Sequence, residues 1–361
     1  MPIKDYYMVR QRLSNHKLEG IQTLRAIAFL EIFLGHCGVS ICSATFGVSI
    51  FMILSGFCMA INYLPKAEKL PILPIGSVKF AISKVKKLYV LHLLMLAAIY
   101  VIVKMPTTGE AIPRLIREFF LVKCWKTHSE DYFAYNGVTW YLSTYLFVCI
   151  GAPYVIRLVS KIKKQKMVCL FAGAIYIFMV AIGYGLTRYT IPIGDDFARW
   201  FTYICPVYRV LDFTLGVLLG WIFLTYQEKE CLWRANVLEL LAVIVFVATE
   251  VVFIPMEKWS TGLCYNAFFV PASLLIVWVF ARNAGLITNA LKRKWLIAIG
   301  NISALTFVIH QVVIRGMNMY VYRLVSVELS LAVKVIINLL LTVGIAYSYL
   351  YFQNKKHSAC S

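Results

Sequence analysis

The sequence predicts an all-α, polytopic membrane protein with ten transmembrane helices in one bundle. Hydrophobic residues make up 61% of the 361 residues and charged residues only 15%, and the mean hydropathy is +0.75. A chain of this composition has too little polar surface for a water-soluble fold.

Apolar runs of about twenty residues, the length that crosses a bilayer as a helix, define the ten spans. They cover residues 19–39, 43–64, 85–105, 138–158, 167–188, 201–226, 236–254, 264–281, 295–318 and 330–352. The membrane domain is therefore expected at residues 19–352, between an N-terminal segment, 1–18, and a tail, 353–361. Because residues 1–18 are polar and charged, we expect no cleavable signal peptide.

Basic residues predict the orientation, because lysine and arginine stay on the cytoplasmic side of a membrane. With the N-terminus inside, the inner segments carry 23 lysines and arginines and the outer segments carry 10. Both termini are therefore predicted to be cytoplasmic, and the localisation that follows is the cell inner membrane.

The net charge of +19 does not indicate a nucleic-acid partner. The basic residues are dispersed over the inner loops, whereas a nucleic-acid-binding module gathers them on one soluble surface. The ten cysteines lie mostly within or beside spans and show no metal-binding spacing. Only Cys124, in the longest outer loop, is a candidate for oxidation.

Arg25 and His36 interrupt the first span, which also contains Glu31. Ionisable groups within a membrane are costly, and each is a candidate functional residue. Eleven helical steps return to nearly the same direction, so both side chains lie on one helix face, about 16 Å apart along the axis. The second span contains the small residues Gly47, Ser55 and Gly56, which allow a neighbouring helix to approach closely.

These two spans resemble acyltransferase family 3, the membrane O-acyltransferases that modify bacterial surface glycans. The first span matches the family's arginine, ten residues and histidine, and the second matches its Gly-Val-x-x-Phe-Phe-x-x-Ser-Gly-Phe element from Gly47 to Phe57. Met52 stands where a second phenylalanine is usual, and Ser49 where many relatives carry aspartate. If that aspartate orients the histidine, either Ser49 does so more weakly or another group substitutes for it.

Later segments resemble further family elements in the same order along the chain. They are Phe80 to Tyr89 with Lys84, Lys86 and Lys87; Trp140-Tyr141-Leu142-Ser143; Arg209 to Gly220 with Asp212; and Gly300 to His310 with Ser303. The resemblance implies supporting roles for Ser49, Ser55, Trp140, Ser143, Asp212, Ser303 and His310, and donor binding or positioning for Arg25 and Arg209.

The side-chain chemistry of His36 and Arg25 suggests different roles for them. A neutral imidazole can accept a hydroxyl proton near neutral pH, so His36 is the expected general base; a lone histidine at a helix end could equally donate to a carbonyl. Arg25 suits the phosphates or carbonyls of acyl-coenzyme A, and the alternative is an ion pair with Glu31 or Asp212. Arg209 and Asp212, spaced i,i+3, could likewise neutralise each other.

The expected function is transfer of an acyl group, most simply acetyl, from cytoplasmic acyl-coenzyme A to a hydroxyl of a cell-surface polysaccharide or lipid-linked glycan. No permanently bound cofactor is expected, and either direct attack or an acyl-imidazole fits the residues.

The three lysines Lys84, Lys86 and Lys87 could bind the anionic end of the coenzyme, or they could simply be basic residues that mark the cytoplasmic side of the membrane. A transporter of a small molecule or acyl group is the alternative class, because carriers also hold buried charges. The outer loop 106–137 fits an interfacial helix with an aromatic belt, or a lid on a glycan site.

Overall fold

The computed structural model describes residues 15–39, 43–103, 109–189, 195–226, 231–256, 261–322 and 329–358. Within these ranges the chain forms helices and connecting turns and no β-strand. The longer α-helices are α1 (Asn15–His36), α2 (Ala44–Tyr63), α3 (Pro74–Val103), α4 (Ala111–Phe119), α5 (Trp140–Ser160), α6 (Gln165–Tyr189), α7 (Pro206–Thr225), α8 (Leu232–Met256), α9 (Val270–Arg282), α10 (Leu286–Leu291), α11 (Lys294–Gly316) and α12 (Leu331–Ser358). Short helical segments lie at Leu64–Lys69, Lys123–Trp125, Ser129–Tyr132, Gly137–Thr139, Asp195–Arg199, Trp200–Ile204, Thr261–Cys264, Ala267–Phe269 and Met317–Val321.

Among the described residues, 8 helical stretches are long and apolar enough to cross a membrane, and they contain α2, α3, α5, α6, α7, α8, α11 and α12. The other two predicted spans fall on α1, 22 residues long with Arg25 and Glu31 inside it, and on α9, 13 residues long. The all-α membrane fold is therefore confirmed, whereas the count of ten spans stays a prediction.

Two predicted span limits differ from the helices observed. The third span was expected to begin at residue 85, but α3 begins at Pro74, since a proline is favoured in the first turn of a helix. The sixth span, expected to be continuous over 201–226, is interrupted at Cys205 and restarts as α7 at Pro206. A proline restarts the helix there because it has no amide hydrogen to continue the preceding turn.

Helices α1 and α11 pack side by side and run parallel. Residue numbers rise in the same direction along both helices at their contacts: Gln22 contacts Gly300 near one end, and His36 contacts His310 near the other. A Cβ atom on Gly300 would lie 1.9 Å from the Gln22 carbonyl oxygen, so the two backbones meet where only glycine fits. This close parallel packing brings side chains from opposite ends of the sequence together.

Replacing Gly300 by alanine is therefore expected to separate α1 from α11 and to destabilise the protein by about 1–3 kcal/mol, the usual cost of overpacking. Gly173 on α6 is the matched control, because a Cβ there would meet nothing within 4 Å. Thermal unfolding in detergent should show a lower midpoint for Gly300→Ala and an unchanged one for Gly173→Ala. Equal midpoints would contradict this packing.

Helices α2 and α7 make a second close contact through small residues. A Cβ on Gly56 would lie 2.1 Å from the Phe213 carbonyl oxygen, and one on Gly216 would lie 2.0 Å from that of Ile53. The predicted close approach of a neighbouring helix to Gly56 is confirmed, and the neighbour is α7. The second span is thus held between α1 and α7.

Helix α1 ends directly after His36. Gly38 has φ +86°, a left-handed conformation that favours glycine, and the amides of Gly38 and Val39 donate to the carbonyls of Gly35 and Leu34 at 3.1 Å each. This is the Schellman pattern of a helix C-terminus. The backbone turns away at this point, and His36 is left exposed at the end of the helix.

Candidate active site

His36 and His310 form a hydrogen-bonded pair between α1 and α11. The Nδ1 atom of His36 lies 2.9 Å from the Nε2 atom of His310, and the two ring centroids are 5.1 Å apart. The two residues are 274 positions apart in sequence. The structure therefore brings together the predicted base and one of the predicted supporting residues.

The hydrogen bonds assign the tautomers of the two neutral rings. His310 Nδ1 lies 2.8 Å from the Phe307 carbonyl oxygen, which can only accept, so Nδ1 carries the hydrogen. His310 Nε2 is then an acceptor, and the donor facing it is the Nδ1–H of His36. The lone pair of His36 is consequently on Nε2, the atom that does not face His310.

Aromatic side chains enclose His310 and leave His36 open. The rings of Phe29, Phe33 and Phe307 lie 5.9, 6.3 and 5.8 Å from the His310 ring. His310 is 0% exposed, whereas His36 is an exposed residue. His310 is therefore held rigidly and out of solvent, and His36 is the member of the pair that a substrate can reach.

Arg25 faces a cavity further along α1. Its Nε atom donates to the Ser303 hydroxyl at 3.2 Å, so α11 supplies the partner of Arg25 as well as that of His36. The cavity has a volume of about 210 Å³ and is lined by Arg25, Phe51, Ser55, Lys84, Leu88, Tyr141, Leu142, Tyr145, Ser303, Ala304, Phe307 and Val308. Phe307 lines the cavity, and its ring lies 5.8 Å from the His310 ring, so one side chain contacts both the cavity and the histidine pair.

The three lysines that follow Phe80 differ in position. The Lys84 ammonium donates to the Tyr63 hydroxyl, lies 4.6 Å from the centroids of the Tyr63 and Phe80 rings, and lines the Arg25 cavity. Lys86 and Lys87 are exposed. The cavity thus has two basic residues, Arg25 and Lys84, in a mainly apolar wall that includes four aromatic rings.

The two serines of the second span lie in different surroundings. Ser55 lines the cavity, and its hydroxyl donates to the Phe51 carbonyl at 2.7 Å. Ser49 is buried against α9, where the Ser273 hydroxyl donates to it at 3.0 Å. His36 is therefore partnered by His310, and Ser49 is partnered by Ser273.

Arg209 and Asp212 form a fully buried ion pair on α7. The guanidinium lies 2.8 Å from the Asp212 carboxylate, and the Asn266 amide donates to the same carboxylate at 3.0 Å. Neither residue is among those lining the Arg25 cavity. The predicted mutual neutralisation is present, while donor binding by Arg209 stays a prediction.

Ser143 fastens the outer loop to the bundle, and Trp140 packs against the segment that precedes α7. The Trp140 ring lies 4.6 Å from the Tyr203 ring. The Ser143 hydroxyl donates to the carbonyl of Leu121, whose φ of 54° is unusual for a non-glycine residue. Cys124, the candidate for oxidation, is fully buried and lies 3.0 Å from the same hydroxyl.

Residues 109–137 of the predicted outer loop fold as a cap fastened to α11, and neither sequence interpretation included this attachment. At its centre, buried Lys123 pairs with buried Glu118 and donates to the carbonyls of Ala134 and Asn136 at 3.1 and 2.9 Å. Three hydrogen bonds join the cap to α11: the Asn136 amide to the Val308 carbonyl, the Val138 amide to Gln311, and Arg315 to the Tyr135 carbonyl. Exposed Ile112, Ile116 and Phe119 on α4 keep the apolar surface of an interfacial helix.

The residues missed by sequence reasoning are those that attach the cap, chiefly Lys123, Glu118, Gln311 and Arg315. The only sequence signal was charge inside apolar surroundings, since Lys123 and Arg315 follow hydrophobic runs. Arg315 also acts electrostatically on His36. The residue of α11 that binds the cap at Tyr135 therefore also places a positive charge near the exposed histidine.

Replacing Asp131 by asparagine is expected to loosen the cap at neutral pH. Although burial raises it, the hydrogen bond from Arg114 and the charge of Arg117 hold the pKa of Asp131 below its ordinary value of 3.8. The carboxylate thus stabilises the cap above about pH 4 and loses this effect as the pH falls through its lowered pKa. Hydrogen–deuterium exchange of residues 109–133 at pH 7 should be faster in Asp131→Asn.

The matched control for this prediction is Glu130→Gln, because the Glu130 carboxylate is 80% exposed and an exposed ion pair contributes little. In wild-type protein, exchange corrected for its intrinsic pH dependence should rise only below about pH 4. Exchange that is the same in both variants would show that Asp131 does not hold the cap.

Comparisons with known proteins agree on one family. The family described as "Acyltransferase domain", acyltransferase family 3, matches residues 18–351 of this chain. Acyltransferase MdmB of Streptomyces mycarofaciens is 26% identical over 294 residues, which cover 79% of this chain and 71% of that protein. No solved structure matches the chain. With a match over nearly its whole length, the chain belongs to acyltransferase family 3.

Proposed function

We propose that this membrane acyltransferase transfers an acyl group, acetyl foremost, from cytoplasmic acyl-coenzyme A to a hydroxyl of a cell-surface polysaccharide or lipid-linked glycan. The observation that carries the proposal is the His36–His310 hydrogen bond, which leaves a lone pair on Nε2 of an exposed imidazole. A neutral imidazole with one fixed N–H and one free lone pair is a suitable general base.

The reaction follows from that lone pair. His36 Nε2 accepts the proton of the acceptor hydroxyl while the hydroxyl oxygen attacks the thioester carbonyl carbon. The carbon–sulfur bond breaks, the coenzyme leaves as its thiolate, and the imidazolium returns the proton to that sulfur. His310 Nε2 accepts the Nδ1–H of His36 throughout, and this hydrogen bond stabilises the imidazolium formed during attack.

The donor is proposed to occupy the cavity that contains Arg25 and Lys84. The two basic groups suit the carbonyl and phosphate oxygens of acyl-coenzyme A, and the aromatic walls suit its apolar portions. The cavity approaches the histidine pair at Phe307, so a thioester at its far end would lie close to His36. The acceptor then approaches His36 from the membrane side opposite to the donor, which agrees with the predicted cytoplasmic position of both termini.

Replacing Arg25 by lysine is expected to raise the KM for acyl-coenzyme A about tenfold or more, because lysine keeps the charge and loses the planar set of donors. The matched control is Ser303→Ala, which removes the partner of Arg25 but leaves the guanidinium in the cavity. Titrations of purified protein with acyl-coenzyme A measure the KM of each variant. An unchanged KM in Arg25→Lys would mean that Arg25 acts only as a counter-ion.

Membranes containing the protein and labelled acetyl-coenzyme A test the function itself. Label should appear in an alkali-labile ester on surface glycan, and no label should appear with vector membranes or His36→Ala. Movement of intact acyl donor across the membrane without ester formation would instead establish a transporter. Glycan from a deletion strain, analysed for ester content, then identifies the acceptor.

A further inference from the structure

The end of α1 leaves no backbone N–H group free beside His36 within residues 15–39. The amides of Cys37, Gly38 and Val39 all donate to carbonyls of the last turn of the helix, at distances of 3.0 or 3.1 Å. The C-terminal end of a helix also carries a partial negative charge. A negative charge that develops next to His36 therefore finds no backbone donor in this turn and meets a helix end of unfavourable sign.

The proposed reaction creates such a charge. When the acceptor hydroxyl attacks the thioester, the oxygen of the thioester carbonyl becomes an oxyanion. His36 accepts the hydroxyl proton, so the oxyanion needs a separate hydrogen-bond donor. Donors aimed at the position of an oxyanion commonly make the largest single contribution to catalysis of acyl transfer.

Arg25 and His310 do not supply that donor. Arg25 precedes His36 by eleven residues, which corresponds to about 16 Å along the axis of α1. His310 presents the acceptor atom Nε2 to His36, and its Nδ1–H is bound to the carbonyl of Phe307. The donor has to come from another side chain near the end of α1.

Arg315 lies in a suitable position. Helix α1 ends at His36, whereas α11 continues to Gly316. Five residues separate His310 from Arg315, which corresponds to about 7.5 Å of helical rise. An extended arginine side chain is long enough to return to the level of His36, and the charge of Arg315 does act on His36.

The cap fixes the orientation of the Arg315 guanidinium. Its Nη1 atom donates to the carbonyl of Tyr135 at 2.7 Å. Tyr135 has φ 52°, a left-handed conformation that is costly for a non-glycine residue and that occurs most often at functional sites. Lys123 binds the carbonyls on either side, those of Ala134 and Asn136, so the Tyr135 carbonyl is held in place as well.

The other N–H groups of Arg315 are available to a substrate. Arg315 is half-buried, and none of its nitrogen atoms is among the buried side-chain atoms that lack a partner. Within the part of the chain that the structure describes, the cap carboxylates are paired with basic residues of the cap itself: Glu110, Glu130 and Asp131 with Arg114 or Arg117, and Glu118 with Lys123. Glu328, which follows α11 in sequence, lies outside the described residues.

We propose that Arg315 is a catalytic residue that donates hydrogen bonds to the oxyanion formed during acyl transfer. The inference rests on the proposed function, in which His36 is the general base. As the hydroxyl oxygen bonds to the carbonyl carbon, an electron pair of the C=O bond moves to the oxygen, which accepts from the free N–H groups of Arg315. When the pair returns and the carbonyl re-forms, the carbon–sulfur bond breaks and the coenzyme leaves as its thiolate.

Rates of ester formation from acetyl-coenzyme A by the purified full-length protein test this role. Arg315→Gln should lower kcat about a hundredfold or more, the usual cost of losing a donor to an oxyanion, with little change in the KM for acetyl-coenzyme A. Arg315→Lys should recover only a small part of the rate, because it lacks the planar set of donors. Added guanidinium ion should partly restore the kcat of Arg315→Ala, whereas ammonium ion should not.

Gln311→Leu separates the proposed role from attachment of the cap. Gln311 also fastens the cap, by accepting from the Val138 amide at 2.9 Å. Gln311→Leu should therefore speed hydrogen–deuterium exchange of residues 109–137, as Arg315→Gln does, yet keep kcat near the wild-type value. An equal loss of kcat in the two variants would overturn the proposal, since loosening of the cap would then explain both.

Glu328→Gln should also keep kcat near the wild-type value, because the proposed role uses the N–H groups of Arg315. A large change in kcat would mean that this carboxylate engages the guanidinium, and it would overturn the proposal. A raised KM with unchanged kcat in Arg315→Gln would do the same, since Arg315 would then bind substrate without stabilising the oxyanion.

Wild-type protein and His36→Ala show whether a failure belongs to Arg315 or to the proposed function. If wild-type protein forms ester, His36→Ala forms it far more slowly and Arg315→Gln keeps its full rate, the proposed function stands and the role of Arg315 is wrong. If wild-type protein forms no ester with acetyl-coenzyme A, the proposed function fails and the role of Arg315 fails with it.

Discussion

Replacing His36 by alanine is expected to lower the rate of acyl transfer by about a hundredfold to ten-thousandfold, the usual contribution of a general base. The protein should still reach the membrane at wild-type levels. Because His36 is exposed at the end of α1, its loss should affect the proposed catalysis far more than packing. The expected kinetic signature is a fall in kcat with little change in the KM for acyl-coenzyme A, since the donor cavity is separate.

The matched control is His128→Ala, which removes an exposed imidazole from the outer cap and should leave the rate unchanged. Because His36 is exposed, added imidazole should partly restore activity to His36→Ala and have no effect on His128→Ala. Full activity of His36→Ala would remove the proposed mechanism. Loss of the protein from the membrane would mean that His36 has a structural role instead.

The membrane fold could be predicted because its signals are local. A run of apolar residues indicates a span wherever it occurs, and the small residues of α2 indicate a close neighbour without identifying it. The structure identifies that neighbour as α7, through the contact of Gly56 with the Phe213 backbone. Choosing between possible neighbours depends on how the whole bundle packs, which no local pattern contains.

The partners of the two central residues could not be predicted for the same reason. Glu31 and Asp212 were the candidates for an ion pair with Arg25, the alternative to donor binding, and the structure gives Ser303 as its partner. For orienting His36, Ser49 and an unidentified other group were both open, and the structure gives His310. Both observed partners lie on α11, and they follow from the single fact that α1 and α11 are parallel neighbours.

The outer cap could be predicted only in part. An amphipathic segment correctly predicts the helix α4 with its exposed apolar face. The buried pair of Lys123 and Glu118 was not predictable, because charged residues in a loop are ordinarily solvated. The Glu118 carboxylate and the carbonyls of Ala134 and Asn136 together make burial of this lysine possible, and they surround it only once the cap has folded.

Replacing His310 by phenylalanine is expected to lower kcat about a hundredfold while leaving the KM for acyl-coenzyme A unchanged. The substitution keeps an aromatic ring among Phe29, Phe33 and Phe307 but removes the acceptor that holds the Nδ1–H of His36. Without that acceptor the neutral ring of His36 can place its hydrogen on Nε2, where it blocks proton abstraction. In other enzymes, a catalytic histidine in the wrong tautomer lowers the rate severely even though the geometry of the site is intact.

His310→Gln separates this positioning role from simple packing. A glutamine side chain retains an oxygen that can accept from His36 Nδ1, so its activity should exceed that of His310→Phe even though phenylalanine resembles the ring more closely in shape. If packing alone mattered, the order of the two variants would be reversed. The comparison remains informative when both proteins are less stable than wild type, because only the order is used.

Nitrogen-15 spectra of histidine-labelled protein report the tautomer directly. Wild-type His36 should show a protonated Nδ1 and an unprotonated Nε2, as the hydrogen bonds from His310 to Phe307 and from His36 to His310 require. In His310→Phe, a resonance from protonated Nε2 should appear while the resonance from protonated Nδ1 weakens. In His310→Gln, the resonance from protonated Nε2 should be weaker than in His310→Phe. An unchanged His36 spectrum in His310→Phe would show that the tautomer is held by some other group, and the loss of rate would then need a different cause.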